Sequence, residues 1–236
     1  MRVAILQSNY IPWKGYFDLI ASVDIFVFLD NVQYTKNDWR NRNILLNKNG
    51  PFWLTIPLAK ESVKKKIDQV VLPQTRWRED HSKSITETYK KSPFFHEIEN
   101  YLQKWFSCDN SLSLSQFNQN IIRDICDFLQ IKTEIIDSKR FHPCNDKIER
   151  ILTILNELGA NCYITGPGAL NYLRPHINLF KQRNISLRIK HYGPYCPYPH
   201  YYHTFQHNVS IVDLLVNCDP SERQDKIRSD SYLNLD

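Results

Sequence analysis

The first thirty residues decide the fold, because VAIL (3–6) and IFVFLD (25–30) enclose the polar and aromatic stretch QSNYIPWKGYFDLIASVD (7–24). Both short apolar runs are typical of strands that are buried on both faces of a parallel sheet. Between them, Phe17, Leu19, Ile20 and Val23 recur at helical spacing. The pattern therefore predicts a strand, a helix and a second, parallel strand.

The same alternation continues along the chain. A helix capped by Asn145 is predicted to end at Gly159, and a helix over 171–183 is interrupted by Pro175. Further strands are predicted at 52–58, 67–72, 133–137, 162–165 and 186–190. The fold class is therefore α/β, with a mainly parallel, Rossmann-like sheet flanked by helices in a single domain over 1–236.

Residues 75–130 form a long helical stretch between two predicted strands. We expect a helical insertion or subdomain there, with helices at 76–90, 93–106 and 113–129. A short amphipathic helix begins at Ser210, and the polar tail after Pro220 is expected to fray.

Composition excludes several classes of protein. The net charge of +5 on 236 residues suits an anionic ligand but is low for a nucleic-acid-binding domain, so an RNA- or tRNA-binding protein is a weak third interpretation. The first apolar run is too short for a signal peptide, and we expect no membrane insertion. The six cysteines include no C-x-x-C pair, which indicates free thiols and a cytoplasmic protein.

Parallel sheets bind ligands beyond the carboxyl ends of their strands. Gln7 follows the first strand, Asp30 ends the second, and Thr165, Gly166 and Gly168 end a later one. Directly after the second strand comes QYTKNDWRNR (33–42), with its amides, cations and aromatic rings. These types are unusual surface choices unless they contact a ligand.

Two glycine-containing turns are candidate anion sites. Gly15 opens a helix whose N–H groups can hold a phosphate, although it equally suits close packing. The turn of Thr165–Gly168 is a second candidate, with a simple turn as its alternative. Neither turn contains the P-loop pattern.

Histidines cluster in the aromatic, proline-rich stretch that begins at His191. His200, His203 and His207 lie close to Cys196, but no carboxylate pattern accompanies them, and we predict no metal site. One of these histidines, His203, is a candidate general base.

These segments resemble the WbqC-like protein family. The resemblance is carried by VAILQSNYIPWKGYFDLI, by FVFLDNVQYTK and WRNRN, and later by KIERIL, YITGP and NVSIVDLLVNC. It spans Val3 to about Cys218. The family usually has Pro at the position of Ser8 and Ser at the position of Thr165, and the aromatic loop 191–203 departs further from the family pattern.

The resemblance implies a role in bacterial surface polysaccharide biosynthesis, notably of O-antigen. The implied reaction joins an acyl group, such as glycine, to a nucleotide-linked deoxyamino sugar through an amide. A remoter similarity is to nucleotidyltransferase-like (HUP-like) ligases such as pantoate–β-alanine ligase, whose H-x-G-H turn binds ATP. The aligned turn here, Trp13–Tyr16, lacks both histidines. The activated donor is therefore either made with ATP or supplied ready-made, as an aminoacyl-tRNA or a thioester.

On this interpretation, Asp30 or His203 accepts the proton of the attacking amine, and Gln7 and Asn41, with the amides of the Thr165–Gly168 turn, polarise the acyl carbonyl. The residues expected to contact the phosphates are Gly15, Lys36, Arg40 and Arg42. Those expected to stack on the base or sugar are Tyr10, Tyr16, Tyr34 and Trp39, and Gln33 is a further expected substrate contact. The alternative is a non-catalytic nucleotide-sugar or carbohydrate-binding module of a polysaccharide assembly complex.

Overall fold

The computed structural model describes residues 1–107, 111–201 and 205–235. Within them, one sheet has the order β5-β2-β1-β6-β7-β8. Every pairing is parallel except that of β7 with β8. The strands are β1 (Arg2–Leu6), β2 (Ile25–Phe28), β5 (Glu134–Asp137), β6 (Cys162–Thr165), β7 (Ser186–Lys190) and β8 (Tyr232–Leu235). The Rossmann-like prediction is confirmed, and the order of the strands reverses beside β1.

Helices cover both faces of this sheet. Alternate residues of β1 enter different cores: Ala4 joins one cluster, whereas Val3 and Ile5 join the other. The helices are α1 (Lys14–Ala21), α2 (Trp77–Tyr89), α3 (Phe95–Phe106), α4 (Leu114–Phe128), α5 (Lys147–Glu157), α6 (Leu170–Leu173), α7 (Ile177–Lys181), α8 (Ile211–Asn217) and α9 (Arg223–Ile227). In the described part of the chain, none of them has the length and apolar character needed to cross a membrane.

Helices α2, α3 and α4 occupy the stretch for which three helices were predicted. Their buried residues, such as Ile85, Leu102 and Ile122, belong to the same core cluster as Ala4 and Phe26 of the sheet. They therefore cover one sheet face, and the division of 75–130 as a subdomain stays a prediction.

A two-stranded antiparallel hairpin stands apart from the main sheet. It consists of β3 (Arg42–Asn47), which was not predicted, and β4 (Gly50–Thr55), which corresponds to the strand expected at 52–58. The strand expected at 67–72 is wrong. Residues Ile67–Gln69 form a short 3₁₀ turn, because Val70 donates its backbone N–H locally to the carbonyl of Ile67.

The expectation of a frayed tail is also wrong. The Arg223 side chain donates to the carbonyls of Cys218 (3.2 Å) and Leu215 (2.8 Å) and to the Glu97 carboxylate (2.7 Å), which fixes the start of α9. The last strand, β8, then closes the sheet by pairing with β7. The polar composition of the tail predicted fraying, because these long-range contacts cannot be recognised from composition.

Three aromatic rings, those of Tyr195, Tyr198 and Phe205, surround a lysine of α1. Lys14 is 2% exposed, and its Nζ lies 4.8, 5.3 and 4.6 Å from the ring centroids of Tyr195, Tyr198 and Phe205. No described residue accepts a hydrogen bond from it. Burial lowers the pKa of Lys14 to about 8, although Asp213 acts in the opposite direction.

We predict that Lys14→Met changes the pH dependence of stability. Because the pKa of Lys14 is lower in the folded state, the unfolded chain binds more protons above about pH 8, and wild-type stability rises from there towards pH 10.5. The gain relative to Lys14→Met is expected to be about 1–3 kcal/mol, since cation–π attraction reduces the shift. Urea unfolding from pH 7 to 10 measures it. Lys48→Met, at an exposed lysine, should give no such slope.

Gly15 lies against the indole ring of Trp13. A Cβ atom at Gly15 would come within 2.3 Å of that ring, whereas one at Gly168 would meet nothing within 4 Å. We predict that Gly15→Ala destabilises the protein by about 1–3 kcal/mol through overpacking, in spite of the usual gain from alanine in a helix. Gly168→Ala is the control, expected to change stability by less than about 0.5 kcal/mol. Equal stability of both variants in urea would contradict the packing role.

Candidate functional site

A cavity of about 410 Å³ lies where the strand order reverses, beyond the carboxyl ends of β1 and β6. This is the position at which open parallel sheets bind their ligands. Five residues predicted from the sequence line it: Gln7, Arg40, Thr165, Gly166 and Gly168. They come from three segments that are far apart in the chain, so the fold brings them together.

Arg40 is the best-positioned cation of this cavity. Its guanidinium donates to Asn9 Oδ1 and, at 3.1 Å, to Gln7 Oε1. Its backbone carbonyl accepts a 2.8 Å hydrogen bond from Asn118 Nδ2 of α4. These bonds use only part of the five N–H donors of arginine, so Arg40 can also bind an anion in the cavity.

Asp38 balances the charge of Arg40. Its Oδ2 lies 3.6 Å from Arg40 Nη2, and it accepts hydrogen bonds of 2.7 Å from the Thr35 hydroxyl and from the Trp39 backbone N–H. Burial acts to raise the pKa of Asp38, but Arg40 and these donors outweigh burial and hold the pKa below its usual value. Asp38 is therefore an ionised partner of Arg40.

Lys147 and Tyr172 complete the cavity, and the sequence analysis missed both as site residues. Lys147 Nζ lies 3.1 Å from the centroid of the Tyr172 ring, and burial lowers the pKa of this lysine. Lys147 is the first residue of α5, whose N-terminus is capped by Asp146. Lys147 could have been predicted, because a helix that leads into a parallel strand begins at the carboxyl edge of the sheet, and α5 leads into β6.

Asp30 is placed differently from the expected base. It is fully buried, and its carboxylate accepts hydrogen bonds from the Ser8 backbone N–H (2.8 Å), Ser115 Oγ (2.5 Å) and Gln119 Nε2 (3.0 Å). This geometry gives Asp30 a role in positioning β2, α4 and the turn after β1. His203, the other predicted base, lies outside the described residues.

Several predicted ligand contacts belong to the core instead. The hydroxyls of Tyr10, Tyr16 and Tyr34 bond to His81 Nδ1 (2.8 Å), the Gln7 carbonyl (2.9 Å) and Asn41 Oδ1 (3.0 Å), respectively. The Asn41 amide donates in turn to the Ile56 carbonyl. The structure therefore does not bring these side chains to the cavity.

The remaining predicted contacts also lie away from it. Gly15 is buried beneath Trp13, Gln33 donates to the Val63 carbonyl, and Lys36 is exposed. Arg42 places its guanidinium carbon 4.2 Å from the centroid of the Trp53 ring.

A second cavity, of about 470 Å³, is lined by Asn9, the residue that accepts a hydrogen bond from Arg40. Its wall includes Trp13, Asn43, Asn208 and the predicted contact Trp39. Because Asn9 accepts a hydrogen bond from Arg40 of the first cavity, one bonded pair of side chains separates the two cavities.

Comparison with known proteins identifies the chain by sequence. An uncharacterized protein of Mycobacterium tuberculosis (strain ATCC 25618 / H37Rv), Rv1507c, is 36% identical over 217 residues, which cover 92% of this chain and 93% of that protein. No solved structure matches this chain. The model of the WbqC-like protein family matches residues 7–225, which include the whole lining of the second cavity and all of that of the first except Ile5 and Leu6. The chain therefore belongs to the WbqC-like protein family.

Proposed function

We propose that this protein forms an amide between an acyl group, such as glycine, and the amine of a nucleotide-linked deoxyamino sugar in bacterial surface polysaccharide (O-antigen) biosynthesis. The observation that carries the proposal is the cavity at the strand reversal, where Arg40 and Lys147 line one space. Membership of the WbqC-like family supports it, because the family is tied to bacterial surface polysaccharide biosynthesis and implies an amide-forming step.

The diphosphate of the substrate would bind between Arg40 and Lys147. Arginine suits a bidentate phosphate contact, and lysine supplies a second point charge. Gly168 has open space around its Cα, so a ligand can approach the backbone of the turn after β6. The Tyr172 ring, already in contact with Lys147, would form one wall for the base or ribose.

The acyl carbonyl would be polarised by Gln7. Since Gln7 Oε1 accepts from Arg40, its Nε2 amide remains to donate to the carbonyl oxygen. The amine nitrogen forms a bond to the acyl carbon, the bond from that carbon to its leaving group breaks, and the amine proton passes to a base. We retain His203 as the base and assign Asp30 to positioning. The donor is an aminoacyl-tRNA, a thioester or an acyl adenylate made with ATP.

One observation favours the non-catalytic binding module as a second candidate. Both carboxylate oxygens of Asp30 are occupied by donors of the chain, and Asp38 is paired with Arg40. Neither Asp30 nor Asp38 is therefore an unoccupied base.

We predict that Arg40→Ala and Lys147→Ala each weaken binding of UDP or dTDP by about 10- to 100-fold. This corresponds to about 1.5–3 kcal/mol for a hydrogen bond to a charged group. Isothermal titration calorimetry measures it, and thermal unfolding checks that the variants are folded. The control is Lys36→Ala, which removes an exposed cation of the same loop and should leave the affinity unchanged. Equal affinity of all four proteins would exclude this phosphate site.

The reaction is tested by mass spectrometry. We predict that a nucleotide-linked amino sugar gains one acyl group, in place of one amine hydrogen, when incubated with the protein and a donor. Glycine with ATP, glycyl-tRNA and an acyl thioester are supplied in separate reactions. Product with one donor identifies the activation chemistry. Binding of the sugar nucleotide without product from any donor would favour the binding module.

A further inference from the structure

Two tryptophans form an exposed aromatic surface beside the second cavity. Trp39 and Trp53 are 42% and 47% exposed, and their ring centroids lie 5.4 Å apart with an interplanar angle of 34°. Among the described residues, neither ring belongs to the two core clusters. Burying an indole ring stabilises a fold, and these two rings contribute little of that stabilisation because they are exposed. The stability of the fold therefore does not explain why two tryptophans are placed here.

The backbone that carries both rings is held by hydrogen bonds and strand pairing. Trp39 donates its backbone N–H to Asp38 Oδ1 (2.7 Å) and accepts, through its carbonyl, a 2.9 Å hydrogen bond from the backbone N–H of buried Tyr10. Trp53 is paired with Ile44 in the hairpin, and Arg42 packs over its ring. Aromatic rings that are fixed before a ligand binds lose little conformational entropy on binding.

Amide side chains line the cavity next to these rings. Asn9 Oδ1 accepts from Arg40, which leaves the Asn9 Nδ2 group to donate to a ligand. Asn208 is exposed and has no hydrogen-bond partner in the described part of the chain. Asn43, by contrast, donates to the carbonyls of Tyr10 and Ile11, so it serves as a wall. A flat apolar face with nearby amides matches a sugar ring, which has C–H faces and hydroxyl edges.

We infer that the second cavity is the subsite for the sugar ring, which stacks on Trp39 and donates or accepts hydrogen bonds at Asn9 and Asn208. The cavity volume of about 470 Å³ accommodates one ring. The inference rests on the proposed function and extends it. With the nucleoside at the strand reversal and the diphosphate at Arg40, the Asn9–Arg40 pair marks the point at which the substrate passes from one cavity into the other.

The test separates the sugar from the nucleotide. UDP is compared with UDP-glucosamine, and dTDP with dTDP-4-amino-4,6-dideoxyglucose. For each pair, the ratio of the dissociation constant of the nucleoside diphosphate to that of the sugar nucleotide measures the contribution of the sugar to binding. Trp39→Ala should lower the affinity for at least one sugar nucleotide by about tenfold, because the stacking contact with the ring is lost. The affinities for UDP and dTDP should not change. Trp39→Phe, which keeps a ring, should restore most of the affinity for that sugar nucleotide.

The control is Leu233→Ala, which removes an exposed apolar side chain from β8, an edge strand of the sheet that β7 separates from β6. Leu233→Ala should change neither the dissociation constants of UDP and dTDP nor those of the sugar nucleotides. Nucleotide binding with an unchanged ratio in Trp39→Ala would overturn the sugar subsite and leave the proposed function standing.

If no nucleotide binds, the nucleotide part of the proposed function fails, and free glucosamine is titrated by tryptophan fluorescence. Binding that Trp39→Ala abolishes would still support the sugar subsite. Absence of any such binding would overturn it.

Discussion

The carboxyl edge of the sheet depends on one buried carboxylate. Asp30 joins the turn after β1, through Ser8, to α4, through Ser115 and Gln119, and its own backbone carbonyl accepts the N–H of Asp68. A buried carboxylate is costly without hydrogen bonds, and each of these donors offsets part of that cost. Because all three segments must meet Asp30 together, the loop that follows it leaves the sheet in one direction, towards the two cavities.

A second set of buried polar groups holds other segments of the chain against α1. Lys190 and Asp18 form an ion pair of 2.8 Å, and the Tyr195 hydroxyl donates to the same carboxylate at 2.7 Å. Tyr198 likewise donates to Asp213 at 2.8 Å. These bonds hold the aromatic loop over α1, and Lys14 is enclosed as a consequence. The loop therefore shapes the second cavity indirectly, because Trp13 lies between its tyrosines and that cavity.

The sequence allowed the sheet to be predicted because buried parallel strands leave continuous apolar runs. The rule for carboxyl edges predicts Gln7, Arg40 and Thr165 at one crevice, and all three line the first cavity. The same rule could not show that Arg40 lines the cavity whereas Arg42 does not. The two residues are close in sequence, but Arg42 begins β3 and its side chain packs on Trp53 instead. Pairing of β3 with β4 is a tertiary contact, and periodicity alone does not reveal it.

The polar residues of the core show a second limit of the sequence. Tyr10, Tyr34 and Asn41 were predicted to contact a ligand because of their types and positions. In the fold, their polar atoms are used by the chain itself. A hydroxyl that bonds to a buried histidine and one that bonds to a substrate have the same sequence signature, so only burial and partners distinguish them.

Asp38 explains how one loop can serve both cavities. Its separation of 3.6 Å from Arg40 is an ion pair without a close hydrogen bond, so a phosphate can take the free N–H groups of Arg40 without displacing Asp38. Asp38 meanwhile keeps its bonds to Thr35 and to the backbone of Trp39. The carboxylate that balances the charge of Arg40 therefore also holds the backbone of Trp39. Asp38 thus contacts a side chain that lines the first cavity and the backbone of a residue that lines the second.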